Sequence, residues 1–276
     1  MLKQRLLTAL VLILLMVWGV LKLSTDALSF ILALFVVLGS WEWGRLIGLT
    51  SLAAKIFYTI LVVGLLALSR LASIDIAGTE LAIFSLAALW WLCGTIWVFR
   101  YRGETGLAPK DTLIGVFAGI LVLVPTWLAL LHIHGFSADG PYMLLFVMVL
   151  IWAADSGAYF AGRKLGKHKL APMVSPGKTI EGVVGGLLAA GIFSLLGALY
   201  FNLHVLGVLG FVLLCLIVVL FSIIGDLFES LFKRRVGVKD SGQLLPGHGG
   251  VLDRIDSLTA AAPIFALGLT MFENVK

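Results

Sequence analysis

Apolar residues come in nine long runs, separated by short polar connections. The runs cover Leu6–Leu23, Ala27–Trp43, Leu52–Ser69, Leu81–Phe99, Thr112–Leu131, Tyr142–Phe160, Val183–Phe201, Val205–Gly225 and Ser257–Phe272. Each is close to the ~20 apolar residues that an α-helix needs to cross a bilayer. A membrane β-barrel shows alternation at period two. These runs are continuously apolar, so they predict helices. The first run follows Lys3 and Arg5, as a secretory leader would. It is longer than a leader's apolar core and has no small-x-small cleavage site, so it reads as a retained helix. The pattern predicts an all-α, polytopic membrane protein with about nine spanning helices.

Composition agrees. Of 276 residues, 61% are hydrophobic and 13% charged, about half the roughly 25% charged residues usual in soluble domains. One core cannot hide so much apolar surface, and a disordered chain would lack it. Cys93 and Cys215 both lie in apolar runs and read as thiols within the bundle. With the N-terminus cytoplasmic, the inner connections carry 17 of the 20 Lys and Arg residues, leaving Lys22, Arg70 and Lys276 outside. This bias is the positive-inside signal. The formal charge of +5 therefore describes topology and excludes a nucleic-acid surface.

The chain divides at about residue 140. Residues 1–140 hold five helices, and 141–276 hold the chemistry, on inner-face loops 162–182 and 226–256. The second loop runs through Asp226, Glu229, Ser230, Lys233, Arg234, Arg235, Lys239, Asp240, Pro246, His248, Gly249, Gly250, Asp253, Arg254 and Asp256. If the eighth helix continues, Asp226, Ser230 and Lys233 share a face, as do Asp253 and Asp256 at the start of the ninth. Three carboxylates without a sulfur ligand suit a hard cation such as Mg²⁺. Acids, cations and a Gly-Gly pair together match the needs of a nucleoside triphosphate and its metal.

The first loop offers Asp155 within the sixth helix, then Ser175, Lys178 and Thr179. An ionisable residue inside a span is functional by default; its bland reading is a pair with Arg163 or Lys164. Gly177-Lys178-Thr179 resembles the end of a phosphate-binding P-loop, but Pro172 stands where the first Gly is required. Ser175, Lys178 and Thr179 remain as phosphate contacts at the start of the seventh helix. The remaining features read blandly. Ala153, Gly157 and Ala161, and Gly182, Gly186 and Ala190, form helix-packing seams. Trp41 and Trp43 form an interfacial belt around Glu42. His132, His134 and His204 fall in outer loops.

The run Ser230-x2-Lys233-Arg234-x4-Lys239-Asp240-x-Gly242-x2-Leu245-Pro246-x-His248-Gly249-Gly250-x2-Asp253-Arg254-x-Asp256 resembles the signature of the phosphatidate cytidylyltransferases, or CDP-diglyceride synthases. The Asp155–Tyr159 and Ser175–Gly182 runs are similar to that family too. The resemblance implies a bacterial inner-membrane enzyme that converts CTP and phosphatidate to CDP-diacylglycerol and pyrophosphate. It implies Mg²⁺, a second, monovalent cation such as K⁺, and a homodimer. It makes Asp226, Asp253 and Asp256 metal-site acids and Lys233 an essential phosphate contact.

On this reading Lys233, Lys239 and Arg254 screen phosphates, and the Pro246–Gly250 turn with His248 meets the nucleotide. Ser230, Arg234, Asp240, Gly249, Gly250 and Asp155 complete the expected substrate site. Two other classes remain as alternatives. An ion-coupled transporter expects midplane sites on broken helices in repeated halves. A CDP-alcohol phosphotransferase expects an Asp-Gly-x2-Ala-Arg motif, which the sequence lacks.

Overall fold

The computed structural model describes residues 2–244 and 249–273. Among them are nine helices: α1 (Leu2–Lys22), α2 (Thr25–Leu46), α3 (Leu52–Asp75), α4 (Thr79–Arg100), α5 (Pro109–Gly135), α6 (Gly140–Leu165), α7 (Ile180–Tyr200), α8 (Val205–Arg235) and α9 (Leu252–Glu273). Each corresponds to one predicted run. Seven of them, α2 to α8, are long and apolar enough to cross a bilayer. The chain is a multi-pass membrane protein. An antiparallel hairpin, β1 (Lys169–Ala171) and β2 (Ser175–Thr179), joins α6 to α7, with Lys169 opposite Thr179 and Ala171 opposite Ser175.

Polar residues set the helix starts. Ser24, Ser51 and Thr179 each accept a hydrogen bond from the amide three residues on. Pro109 opens α5, and the Asp111 carboxylate accepts from the Ala108 amide. Contacts at both ends show an up-and-down bundle. At one end the close of α2 meets the starts of α5 and α9, through Trp43 Nε1 to the Gly115 carbonyl (2.8 Å) and Glu42 to the Leu252 amide (2.8 Å). At the other end Asp26 at the start of α2 pairs with Arg70 near the close of α3 (3.2 Å).

The core gathers around α5 and α9. Residues 122–131 of α5 are buried without a break, as are 259–266 of α9. Ala260, Ala261 and Ala262 let α9 approach α8 and α5 closely, the usual way to gain contact where lipid supplies no hydrophobic drive. Outward, Phe30, Phe57, Leu188 and Leu199 are more than 60% exposed and form a lipid-facing surface.

Three expectations change. The eighth helix does not stop near Gly225. It runs ten residues further, to Arg235, so the second loop is helical at its start and again from Leu252. Second, His132 and His134 lie in α5, not in a loop. His132 Nδ1 is 2.6 Å from Glu80, and His134 bonds Thr25 Oγ1 (2.9 Å) and the Val20 carbonyl (2.9 Å). Third, Trp43 is no belt residue. It is 1% exposed and packs on Phe228 and Phe232.

Candidate functional site

The α6–α7 seam fixes one wall. A Cβ at Gly157 would stand 2.7 Å from both the Ala189 Cβ and the Gly185 carbonyl, so glycine is what lets the two backbones touch. This contact brings the hairpin against α8. Lys178 Nζ, from β2, lies 2.7 Å from Asp226 Oδ2. The two polar stretches thus meet, as their chemistry required. Ser230, one turn on, donates to Asp226 Oδ1 (3.3 Å), which bears out the shared face. Asp155 is within electrostatic reach of both Lys178 and Asp226. It is not paired with Arg163, which instead donates to the Tyr159 hydroxyl (3.0 Å).

The other wall is the α8–α9 crossing. Gly225 admits the Asp256 backbone, which a Cβ would strike. Asp226 and Asp256 consequently interact across the crossing. Lys233 is 6% exposed and lies between Asp253 Oδ1 (2.7 Å) and Glu229 Oε1 (3.1 Å). In this geometry it neutralises internal acids and does not face open solvent. The other Asp253 oxygen accepts from the Ser241 amide (3.0 Å), the Ser241 hydroxyl (3.0 Å) and the Gly250 amide (2.8 Å). Asp253 therefore organises the loop. Asp256 Oδ1 accepts from the Ser257 amide (2.7 Å).

Sequence reasoning passed over two acids. Glu229 is buried, and its Oε2 has no hydrogen-bond partner among the described residues. It lines a chamber of about 10 Å³, room for one water, with Asp256, Trp43, Trp91 and Phe228. Glu42, on α2, is 1% exposed and accepts from Ser241 Oγ (3.0 Å), the Val251 amide (3.1 Å) and the Leu252 amide (2.8 Å). An acid inside an apolar run was the available signal for Glu42. For Glu229 the signal was its place four residues before Lys233, an i,i+4 pair once the eighth helix continues.

The remaining expected residues divide. Thr179 is buried and spends its hydroxyl on capping α7, accepting from the Gly182 amide (3.1 Å). Ser175 sits half-buried in β2. Arg234 donates Nε to the Val174 carbonyl (3.2 Å) and so ties α8 to the hairpin. Lys239, Asp240 and Arg254 are exposed at the same end. Gly249 has φ +84° and lies against Asp253 and Asp240, while a Cβ at Gly250 would collide with Ser241 and Glu42. The close approach that these glycines permit is to internal carboxylates. His248, with Leu245, Pro246 and Gly247, lies outside the described residues.

Five carboxylates (Asp155, Asp226, Glu229, Asp253 and Asp256) face two ammonium groups, those of Lys178 and Lys233. Acids that outnumber the ammonium groups beside them favour a further cation, most of all near Glu229, the buried one of the five. Among the described residues no three His, Cys, Asp or Glu are grouped to hold a metal alone. Mg²⁺ commonly takes only one or two carboxylates and completes its shell with substrate phosphates and water. The oxygen donors of Asp226 and Asp256 fit such a metal. α2 to α8 run unbroken, and the acids and lysines of the site lie together at one end of the bundle, unlike a transporter's midplane site.

Comparison with known proteins agrees with this chemistry. A family model described as the cytidylyltransferase family matches residues 3–272. A phosphatidate cytidylyltransferase of Pseudomonas aeruginosa is 43% identical over 272 residues, 96% of each chain. One of Haemophilus influenzae is 38% identical over 281 residues, 96% of this chain and 98% of the relative. One of Staphylococcus aureus is 48% identical over 130 residues, 46% of this chain and 48% of its own.

Proposed function

The chain belongs to the cytidylyltransferase family, and we propose that it joins CTP to phosphatidate, giving CDP-diacylglycerol and pyrophosphate in phospholipid biosynthesis. The observation that carries this reading is the Lys178–Asp226 contact, which joins two separate polar stretches into one acid-rich, cation-bearing site.

An ionised oxygen of the phosphatidate monoester attacks the α-phosphorus of CTP. A new P–O bond forms, the α–β bridging P–O bond breaks, and its electron pair leaves on pyrophosphate. The monoester's second pKa is about 6, so the nucleophile needs no general base at neutral pH. The barrier is the meeting of two anions, and the chain's cations lower it. Lys178 is placed to meet phosphate where it now meets Asp226. Lys239 and Arg254, exposed at the same end, screen the triphosphate. Lys233 holds Asp253, and thereby the loop, rather than the substrate itself. Asp226 and Asp256 would hold Mg²⁺, which supplies charge neutralisation at the reacting phosphates. A second, monovalent cation rests on the family resemblance and the excess of acid.

The lipid enters sideways from the leaflet beside α6 and α8, its tails remaining in hydrocarbon. The bias of Lys and Arg supports a bacterial inner-membrane enzyme whose N-terminus and site end face the cytoplasm. A homodimer follows from the resemblance, and the mass of the protein in detergent would test it.

The deciding experiment uses purified protein in detergent with labelled CTP, phosphatidate and Mg²⁺. Pyrophosphate release that requires the lipid is expected. Release without lipid, or none with it, would overturn the proposal.

A further inference from the structure

The geometry points to Glu42 as a positioning residue for the whole site: a carboxylate on α2 that clamps the start of α9 and, through Ser241, the Asp253 carboxylate. The inference rests on the proposed function only where it concerns turnover.

Four observations carry it. First, Glu42 lies 199 to 210 residues from its partners, yet both of its oxygens are engaged by them. Oε1 takes the Val251 amide, and Oε2 takes the Leu252 amide and the Ser241 hydroxyl. Second, the amide donors are Val251, just before α9, and Leu252, its first residue, and the amides at a helix start have no partner within the helix itself. Free amides at a helix start form an anion site, and here an internal carboxylate occupies it. Substrate phosphate is thereby kept from that position and left to the cations around Asp226. Third, Ser241 Oγ is 3.0 Å from both Glu42 and Asp253 and has one proton to donate between them. Moving Glu42 therefore alters Asp253, and with it the Lys233 pair. Fourth, the packing allows no slack. A Cβ at Gly242 or at Gly250 would strike the Glu42 carboxylate.

Glu42 is thus the point at which the N-terminal helices enter the chemistry. It touches no reacting atom. It fixes the start of α9, whose first turn carries Asp253 and whose next turn carries Asp256.

The test compares the wild type with Glu42→Gln and Ser241→Ala, all full-length in detergent. Glu42→Gln keeps the shape but replaces an acceptor with an amide donor that faces donors. Turnover, or the affinity for Mg²⁺ read from its half-saturating concentration, should fall about 10–100-fold, the usual cost of losing a group that orients metal ligands. Ser241→Ala leaves both amide bonds of Glu42 in place and should lose less. Hydrogen exchange gives a readout free of catalysis. Peptides covering 249–256 should exchange faster in Glu42→Gln, while those of α6 and α7 stay unchanged. Wild-type exchange at 249–256 and wild-type Mg²⁺ dependence would overturn the clamp, and so would faster exchange spread evenly over all helices. If the wild type itself shows no lipid-dependent pyrophosphate release, the proposed activity falls, and the exchange data still decide the clamp.

Discussion

Lys233 and Asp226 sit two turns apart on α8, yet their substitution should fail in different ways. Lys233 is enclosed by Glu229 and Asp253 and reaches no open surface. Removing one partner from a buried ion pair typically costs about 3–5 kcal/mol, because the remaining charge is left uncompensated. Lys233→Met should therefore lower the thermal unfolding midpoint in detergent sharply, with activity lost as a consequence. The Asp226 side chain is a third exposed, and its main partner, Lys178, is itself accessible. Asp226→Asn should keep the wild-type midpoint and lose turnover, because the proposed metal ligand is gone. Equal midpoints for the two variants would contradict this division of roles. The sequence shows both residues plainly, on one helical face. It does not show that Lys233 is spent internally. That follows from the α8–α9 crossing, which buries the i,i+4 partner Glu229 and brings Asp253 onto Lys233 from the other helix.

The nine elements were legible because a bilayer imposes length and apolarity together. Their inner ends were not. α8 carries Lys233, Arg234 and Arg235 in its last turn, and charge of that kind reads as the end of a span. The predicted run ends at Gly225, yet α8 extends to Arg235, where Arg235 pairs with Asp111 (3.0 Å) and Arg234 donates to the Val174 carbonyl. The hairpin was invisible as well. Its five-residue strand, Ser-Pro-Gly-Lys-Thr, has no apolar alternation. The α6–α7 seam was legible from spacing alone, and it invites a paired test. Gly157→Val would drive a side chain into Ala189 and the Gly185 carbonyl, whereas Gly191 has nothing within 4 Å. Overpacking of this kind costs about 1–3 kcal/mol. Gly157→Val should lower the unfolding midpoint and weaken activity, since Lys178 follows the seam. Gly191→Val, facing lipid, should change neither. A stable, active Gly157→Val protein would mean that the seam does not hold the hairpin in place.

For the whole molecule, low charge and its uneven placement are one fact. A bundle in lipid tolerates ionisable groups only where they are paired or wet: Asp26 and Arg70 pair at one end, and most of the remaining charge collects at the other, where α2, α5, α8 and α9 meet around the acids. Glu42 shows that this end is assembled from both halves of the chain, although the sequence pattern alone sets the first five helices apart. The side of the membrane on which the end lies is open to direct measurement. Cys93 and Cys215 are the cysteines of the chain, and both can be replaced by alanine to give a blank background. Thr105→Cys then marks the α4–α5 connection, and Ala77→Cys the α3–α4 connection; both positions are exposed. On the proposed topology, the first of these connections lies inside. A membrane-impermeant maleimide should label Ala77→Cys on intact spheroplasts and reach Thr105→Cys only after permeabilisation. The reverse pattern would turn the molecule over, and with it the requirement that the site draw CTP from the cytoplasm.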